Sequence, residues 1–352
     1  MSAAPAGRTV SIIVPCRNER RHIEAFCASA LQQALPAGWA LQLVIADGMS
    51  DDGTRGLLTQ LSQADTRICC IDNPGLIVST GLNRALASAH GEVIVRMDAH
   101  TEYAPDYVAQ CLAVLQETGA DNVGGPWRAQ PAVQAHEPGA AMQRAIAAAF
   151  QSRWVAGGAL SRRLDHNGWV DTVYLGCWPR ATFERFGHFD ETLVRNQDDE
   201  HNLRIVRGGG RVWQSSRIHS VYRPRATLRQ VFRQYLQYGY WKPFVMKKHG
   251  QAASLRHGVP GLFVALLLAL GVAALLGAPA WPLWVLVLMY ALCVAAMTVM
   301  VAAERSPGWG AVARVPAVVA AYHLGYGMGS LLGGWDVLFR GHGRAGFASL
   351  TR

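Results

Sequence analysis

Short apolar runs alternate with helix-length stretches through the first part of the chain, and this alternation limits the available folds more than any other feature. Ser11–Pro15, Leu41–Asp47, Arg67–Asp72 and Glu92–Asp98 read as buried strands. Between them, Glu19–Gln33, Thr54–Ser62 and Ile77–Ala89 are compatible with helices. Strands joined by crossovers of that length pair in parallel, and a parallel sheet needs helices on both faces. Ligands of such sheets sit beyond the carboxyl ends of the strands. Asp47, Asp72 and Asp98 each stand at such an end, and solubility alone is a poor reason for three carboxylates on one rim.

The other end of the chain imposes a second constraint. Charged residues make up 16% of the 352 residues and apolar ones 51%, but from His257 onward charge almost vanishes. Val259–Leu276 and Trp281–Ala303 each approach the roughly 20 apolar residues that cross a bilayer. A third stretch, about Val312–Leu332, is weaker as a span. Gly325, Gly327, Gly329 and Gly333, with Tyr322 and His323, suit close helix packing or re-entry. Trp281, Trp284 and Trp335 fit an interfacial belt.

The net charge of +9 suits an anionic bilayer or a phosphate-rich ligand. Lys242, Lys247, Lys248, Arg256 and His257 crowd before the first apolar span, which favours the membrane. No basic helix or aromatic ladder has the pattern that reads nucleic acid, so none is expected as a partner. These basic residues, with Arg305 and Arg314, place the first domain inside. Three crossings would then leave Arg340, Arg344 and Arg352 outside, against the positive-inside tendency, so the side of the tail stays open. Seven cysteines without a CxxC pair indicate neither a disulfide framework nor a zinc site, and suit reduced thiols. The apolar run before Arg17 is too short for a signal peptide. The expected organisation is a cytoplasmic catalytic domain over 1–225, an amphipathic interfacial segment over 226–256, two or three membrane helices over 257–335 and a basic tail over 336–352, seated on the inner (plasma) membrane.

Two acidic motifs carry the chemistry. In Asp98-Ala99-His100, an extended backbone would turn the first and third side chains to one side, so both would meet one ion. A carboxylate and a neutral imidazole suit Mn²⁺ or Mg²⁺, with a diphosphate filling the remaining positions. In Gln197-Asp198-Asp199-Glu200-His201, adjacent acids repel and call for a compensating cation or donor. Asn202–Arg207 continues as a helix, so Asp199 and Glu200 suit its first turn while Asp198 faces the crevice as a general base. A third motif starts at Thr227, which with Gln230 fits a capping box. Leu228, Val231, Phe232, Tyr235 and Leu236 then share one face, for lipid or protein, with Tyr238, Tyr240, Trp241 and Lys242 as interfacial anchors and Arg233 reaching toward phosphate. The turn Asp47–Thr54 lacks the spacing of a Walker loop or a GxGxxG fingerprint, so neither ATP hydrolysis nor hydride transfer is supported.

These residues, in this order, resemble family 2 glycosyltransferases of the GT-A fold, an α/β fold built on a Rossmann-like mixed sheet, here followed by an α-helical transmembrane tail. Pro15-Cys-Arg-Asn18-Glu19 looks like the opening P-x-x-N-E. Asp47-Gly48 followed by Asp52-Gly53-Thr54 resembles D-G-S-x-D-G-T with one extra residue. Gly81-Leu-Asn83 and Gly91-Glu92 look like the approach to the metal motif, and Asp98-Ala-His100 stands where D-x-D is usual. Gln197-Asp198 resembles the E-D base motif, and Gln230-Val-Phe-Arg233 with Gln234-Tyr235 resembles Q-x-x-R-W. The match spans roughly 9–250, and with Gln197-Asp-Asp-Glu-His201-Asn-Leu and Tyr238-Gly-Tyr-Trp-Lys242 it resembles succinoglycan-biosynthesis glucosyltransferases.

The resemblance implies a metal-dependent, inverting hexosyl transfer, of glucose by that likeness, from a UDP-sugar to a polyprenyl-diphosphate-linked saccharide in exopolysaccharide synthesis. It places Pro15, Asn18, Glu19, Asp47, Asp72, Asn83 and Asp98 on the donor nucleotide, and Asp98 and His100 on Mn²⁺ or Mg²⁺. Asp198 or Asp199 would be the base, with Gln230, Arg233 and Trp241 on the acceptor and its diphosphate. The rival readings are sugar transfer to bare polyprenyl phosphate and a membrane-tethered nucleotide-binding protein without turnover.

Overall fold

The computed structural model describes residues 8–134, 137–155, 158, 160–250 and 257–347. The chain divides into two compact units, one of residues 1–128 and 160–222 and the other of 129–159 and 223–352.

In the first unit, strands β1 (Arg8–Cys16), β2 (Trp39–Asp47), β3 (Ile68–Asp72) and β4 (Val93–Arg96) are linked by helices α1 (Ile23–Leu31), α2 (Thr54–Ala64) and α3 (Val78–Ser88). They pair in parallel in the order β3-β2-β1-β4, as the crossovers require. Beyond them come β5 (Glu102–Tyr103), α4 (Tyr107–Thr118), β6 (Asn122–Gly125) and β7 (Arg128–Ala129), where the chain leaves the unit. It returns through β8 (Gly168–Trp169), β9 (Tyr174–Pro179), a first-unit helix Arg180–Phe186, a second helix Gln197–Arg207, β10 (Val212–Gln214) and β11 (Ser220–Tyr222). The main sheet thus becomes mixed: β9 lies antiparallel between β4 and β6, and β10 continues beyond β6 to β8.

β1 shows why this sheet is covered on both sides. Val10, Ile12 and Val14 join one apolar cluster with Phe26, Val108 and Leu112 from α1 and α4. Ile13 turns the other way, to Leu82, Ala85 and Leu86 of α3. The two-residue period of a strand thus supplies two cores. Register sets Cys16, Asp47 and Asp72 side by side at one sheet edge. The helix after β1 opens at Ile23, four residues later than Glu19, because Asn18 and Glu19 are held in a turn. Asn18 sits at φ 56°, and Glu19 N–H donates to Thr54 Oγ1 at 2.9 Å.

The second unit is helical. We label its helices α5 (Ala140–Gln151), α6 (Leu228–His249), α7 (Val259–Leu275), α8 (Trp281–Arg305), α9 (Trp309–Val312) and α10 (Val315–Phe339). The inclusion of 129–159 is a feature that the sequence boundaries do not mark. α5 is almost wholly buried. Arg305 donates to Gln151 O, Ser152 to Glu304, and Tyr322 to Ile146 O.

α6 and α10 run side by side in the same direction. Gly325 faces Phe232 O, Gly329 faces Leu236 O, and Gly333 faces Tyr240 O, so the glycines let two backbones touch. The capping box forms: Thr227 accepts from Gln230 N–H. The face of α6 read as meeting lipid or protein meets protein. The anchors Tyr240, Trp241 and Lys242 are corrected too, since all are buried inside this unit rather than set at an interface. For Tyr240 a buried carboxylate is the reason: Asp336 on α10 takes the Tyr240 hydroxyl at 2.7 Å and Arg344 at 2.6 and 3.0 Å.

The order of the apolar spans also changes. α8, with 25 residues, and the stretch Trp309–Phe339 are long and apolar enough to cross a bilayer. α7, with 17 residues, reaches only about 25 Å at ~1.5 Å per residue, short of the ~30 Å hydrocarbon core. Arg256 and Arg352 lie outside the described residues.

The α6–α10 contact gives a direct test. A Cβ at Gly329 would sit 2.1 Å from Leu236 O, whereas one at Gly334 meets nothing within 4 Å. Gly329→Ala should cost about 1–3 kcal/mol through overpacking, while Gly334→Ala stays within about 1 kcal/mol of the parent. Thermal unfolding in detergent checks the pair, and equal shifts would refute the close approach.

Candidate active site

β4 ends at Arg96, and the next residues turn. Asp98 O accepts from Thr101 N–H at 3.1 Å, and Asp98 N–H donates to Tyr103 Oη at 2.7 Å. Tyr103 is held in turn against Tyr107 and Phe26. The extended geometry expected for Asp98-Ala99-His100 is therefore corrected: the strand has already stopped, and the two side chains find separate partners. His100 Nδ1 lies 3.1 Å from Glu19 Oε1. Asp98 is engaged by Arg96, with Nε to Oδ1 at 3.2 Å and Nη2 to Oδ2 at 3.3 Å.

Arg96 is the residue that sequence reasoning passed over. It is only 6% exposed, and its Nη1 has no hydrogen-bond partner among the described residues. That nitrogen lies 3.8 Å from Asp198 Oδ2. Residues about a hundred positions apart in sequence thus meet across one guanidinium. An apolar run closed by an arginine and followed two residues later by an aspartate was the available signal: a buried cation requires an acidic partner. Burial alone would lower the Arg96 pKa, but Asp98 and Asp198 more than offset it and keep the group charged. For Asp198, burial pushes the carboxyl up, Arg96 pulls it down, and Asp199 and Asp98 raise it further.

Asp198 sits in the first turn of the first-unit helix Gln197–Arg207, entered through Asn196 at φ 64°. Its side chain remains 28% exposed, while Asp199 N–H donates to Asp198 Oδ1 at 2.9 Å. The rest of the acidic cluster points elsewhere. Glu200 is buried and paired with Arg204 at 2.8 Å, and His201 Nε2–H donates to Gly187 O at 3.0 Å among Phe183 and Phe189. Burial lowers the His201 pKa to about 4, so it is a neutral core group.

The other donor-side candidates separate into two groups. Asp47 accepts from Ser50 N–H and Oγ and shares Arg55 with Asp72, at 2.9 and 2.8 Å. Asn18 exchanges hydrogen bonds with Asp51 at 2.9 and 3.0 Å, with Pro15 opposite Ala46 in the sheet. These lie together at the edge of the sheet where β1, β2 and β3 end. Asn83 is placed differently. Its amide takes Phe189 O, Phe189 N–H and Glu191, which braces the loop before the Gln197 helix. Sequence reasoning also missed Trp127, Tyr174 and Tyr222, whose rings pack together, with Tyr174 Oη 2.9 Å from Thr101 Oγ1. In the second unit, Gln230 Oε1 accepts from Thr227, Arg233 is exposed, and Trp241 is covered by Tyr240, Phe244 and Gly343.

A carboxylate and an imidazole are ligand types that suit a divalent cation. Glu19 accepting the Nδ1 proton of His100 leaves Nε2 as the lone-pair nitrogen, the usual arrangement behind a metal-bound imidazole. The Asp98 contacts to Arg96 are long, and a carboxylate has lone pairs to spare. Among the described residues, no group of three His, Cys, Asp or Glu gathers around one point, so further ligands would come from outside the chain.

The chain is similar to known proteins in sequence and in fold. The Glycosyl transferase family 2 profile matches residues 11–156. The chain is 33% identical over 322 residues to the succinoglycan biosynthesis protein ExoA of Rhizobium meliloti (strain 1021), covering 90% of this chain and 92% of that protein. It is 22% identical, over 68% of this chain and 74% of the relative, to a Methanococcus voltae dolichyl N-acetyl-alpha-D-glucosaminyl phosphate 3-beta-D-2,3-diacetamido-2,3-dideoxy-beta-D-glucuronosyltransferase. Among solved structures, the mannosyltransferase PcManGT of Pyrobaculum calidifontis, in complex with GDP-Man and Mn²⁺, is similar at a TM-score of 0.56 and 19% identity. That match covers 90% of this chain and 86% of that one. S. aureus TarS is similar at a TM-score of 0.50 and 13% identity; this chain spans about half of it, 55%. The fold is GT-A, and the chain belongs to glycosyl transferase family 2.

Proposed function

We propose that this chain is a membrane-bound inverting glycosyltransferase that moves a hexose, glucose by its likeness to succinoglycan enzymes, from a UDP-sugar to a polyprenyl-diphosphate-linked saccharide in exopolysaccharide synthesis. The observation that carries the reading is the meeting of Asp98 and Asp198 on opposite arms of Arg96. Asp98 with His100 is a cation site, and Asp198 is a proton acceptor in the same crevice.

Asp198 takes the proton of the acceptor hydroxyl, and the resulting oxygen attacks the anomeric carbon from the side opposite the nucleotide. An Mn²⁺ or Mg²⁺ ion held by Asp98 and His100 would supply charge neutralisation on the departing diphosphate. Asp199 orients Asp198 through its backbone N–H. Asn18, Glu19, Asp47, Asp72 and Pro15 form the nucleoside side, where Arg55 already offsets the two aspartates. On the acceptor side, the exposed Arg233 is suited to a diphosphate, while Gln230 fixes the start of its helix.

The uncovered apolar faces of α7 and α8 support a seat in a membrane, and we place it at the inner membrane with the catalytic unit in the cytoplasm. Leu262, Leu268, Leu288, Leu292 and Val299 are exposed with no protein cover among the described residues. α10 is a different case. It runs beside α6, which carries Arg229, Arg233, Lys247 and Lys248, and such a partner does not belong in hydrocarbon. We therefore place α10 at the cytoplasmic interface with α6, which keeps Arg340 and Arg344 inside.

Four outcomes test the reading. Asp198→Asn should retain UDP binding and lose transfer by about 10²–10⁴-fold, the usual worth of a general base; normal UDP release would remove Asp198 from that role. In the parent, the acidic limb of the kcat/KM profile should lie above the ordinary carboxylate range. The raised Asp198 pKa means that activity falls as pH drops through that higher value. EDTA should abolish turnover and Mn²⁺ restore it. Glu19→Gln should raise the Mn²⁺ requirement by about tenfold or more through loss of imidazole orientation, and an unchanged Mn²⁺ titration would refute that link.

A further inference from the structure

Arg96 closes the central strand β4 with a side chain almost wholly removed from water. Such a charge persists only with anions beside it, and Asp98 and Asp198 are the carboxylates within reach. The planar fork divides between them. Nε and Nη2 take the two oxygens of Asp98, while Nη1 points at Asp198 from 3.8 Å, beyond hydrogen-bond distance. Asp199 N–H holds Asp198 Oδ1 at 2.9 Å.

We propose that Arg96 is a positioning residue that couples the two acidic centres, held by Asp98 while that carboxylate is free and turned to Asp198 once a divalent cation takes Asp98. The inference rests on reading Asp98 as a cation ligand. Like charge drives the shift, because a guanidinium bound to the same carboxylate as a divalent ion is repelled by it. The short movement then lets Nη1 close a charge-assisted hydrogen bond on Asp198 Oδ2 and fix the direction of the carboxylate's remaining lone pairs. Asp198 is thus oriented for proton removal only when the donor side is loaded, which disfavours idle hydrolysis.

A role in coupling separates cation binding from turnover, whereas a role in mere support would lose both together. The test uses the full-length protein in detergent, with Mn²⁺ binding followed by the electron paramagnetic resonance of free Mn²⁺ and turnover by UDP release. Arg96→Met should bind Mn²⁺ at least about threefold more tightly, because a competing charge is gone. Its kcat at saturating Mn²⁺ should fall about tenfold or more. Arg96→Lys, a point charge without the fork, should recover part of kcat.

Wild-type kcat in folded Arg96→Met, or Mn²⁺ binding weakened in step with kcat, would overturn the inference. Should Arg96→Met not fold, Arg96→Lys decides: kcat reduced with Mn²⁺ affinity kept supports coupling, and unchanged kcat refutes it. Asp98→Asn separates this inference from the reading beneath it. If Mn²⁺ binding does not depend on Asp98, the cation site falls and the coupling with it. If it does depend on Asp98 and the Arg96 variants change nothing, the coupling alone falls.

Discussion

The buried guanidinium of Arg96 is the constraint on which the site depends. It lies at the end of a strand in the middle of the sheet, where water does not compensate its charge. It therefore draws Asp98 from the turn after its own strand and Asp198 from a helix far along the chain. A cation-ligand candidate and a general-base candidate come together because one buried charge draws both. The remaining parts of the unit serve this meeting. Tyr103 pins the Asp98 backbone, Asn83 braces the loop before the Gln197 helix, and Glu19 sets the His100 ring.

Much of this was legible in the residues, and the reasons differ by element. The four parallel strands announce themselves because strands buried on both faces are continuous apolar runs, and the aspartates at their ends mark the ligand edge. The second half of the sheet carries a weaker signal. β8 and β10 have two and three residues, and β9 brings glycine into an antiparallel position, so no period accumulates. Asp198 was readable as a site residue from the crowding of acids. The sorting of that cluster was not, because it depends on Arg204 meeting Glu200 and on the ring packing around His201. The extended reading of Asp98-Ala99-His100 failed because the chain turns after Arg96, with Asp98 O taking Thr101 N–H and Asp98 N–H finding Tyr103, contacts that the motif itself does not announce.

The second unit shows the same division between pattern and partner. The amphipathic period of α6 and its capping box were plain in sequence. What covers the apolar face was not, since lipid and another helix demand the same side chains. The glycines of α10 decide it by letting that helix lie directly on α6, and Asp336 buries Tyr240 where a surface anchor was expected. Charge on the partner helix then bears on how deep α10 can lie, which its own composition does not reveal.

The central claim is that the two acids flank a single cation-dependent crevice. The most direct measurement is anomalous diffraction from crystals of the full chain grown with UDP and Mn²⁺. The account predicts an Mn²⁺ peak between the Asp98 carboxylate and His100 Nε2, with Asp198 across the same cleft. A peak bound by other residues, or nucleotide density with Asp198 facing away from it, would contradict the account.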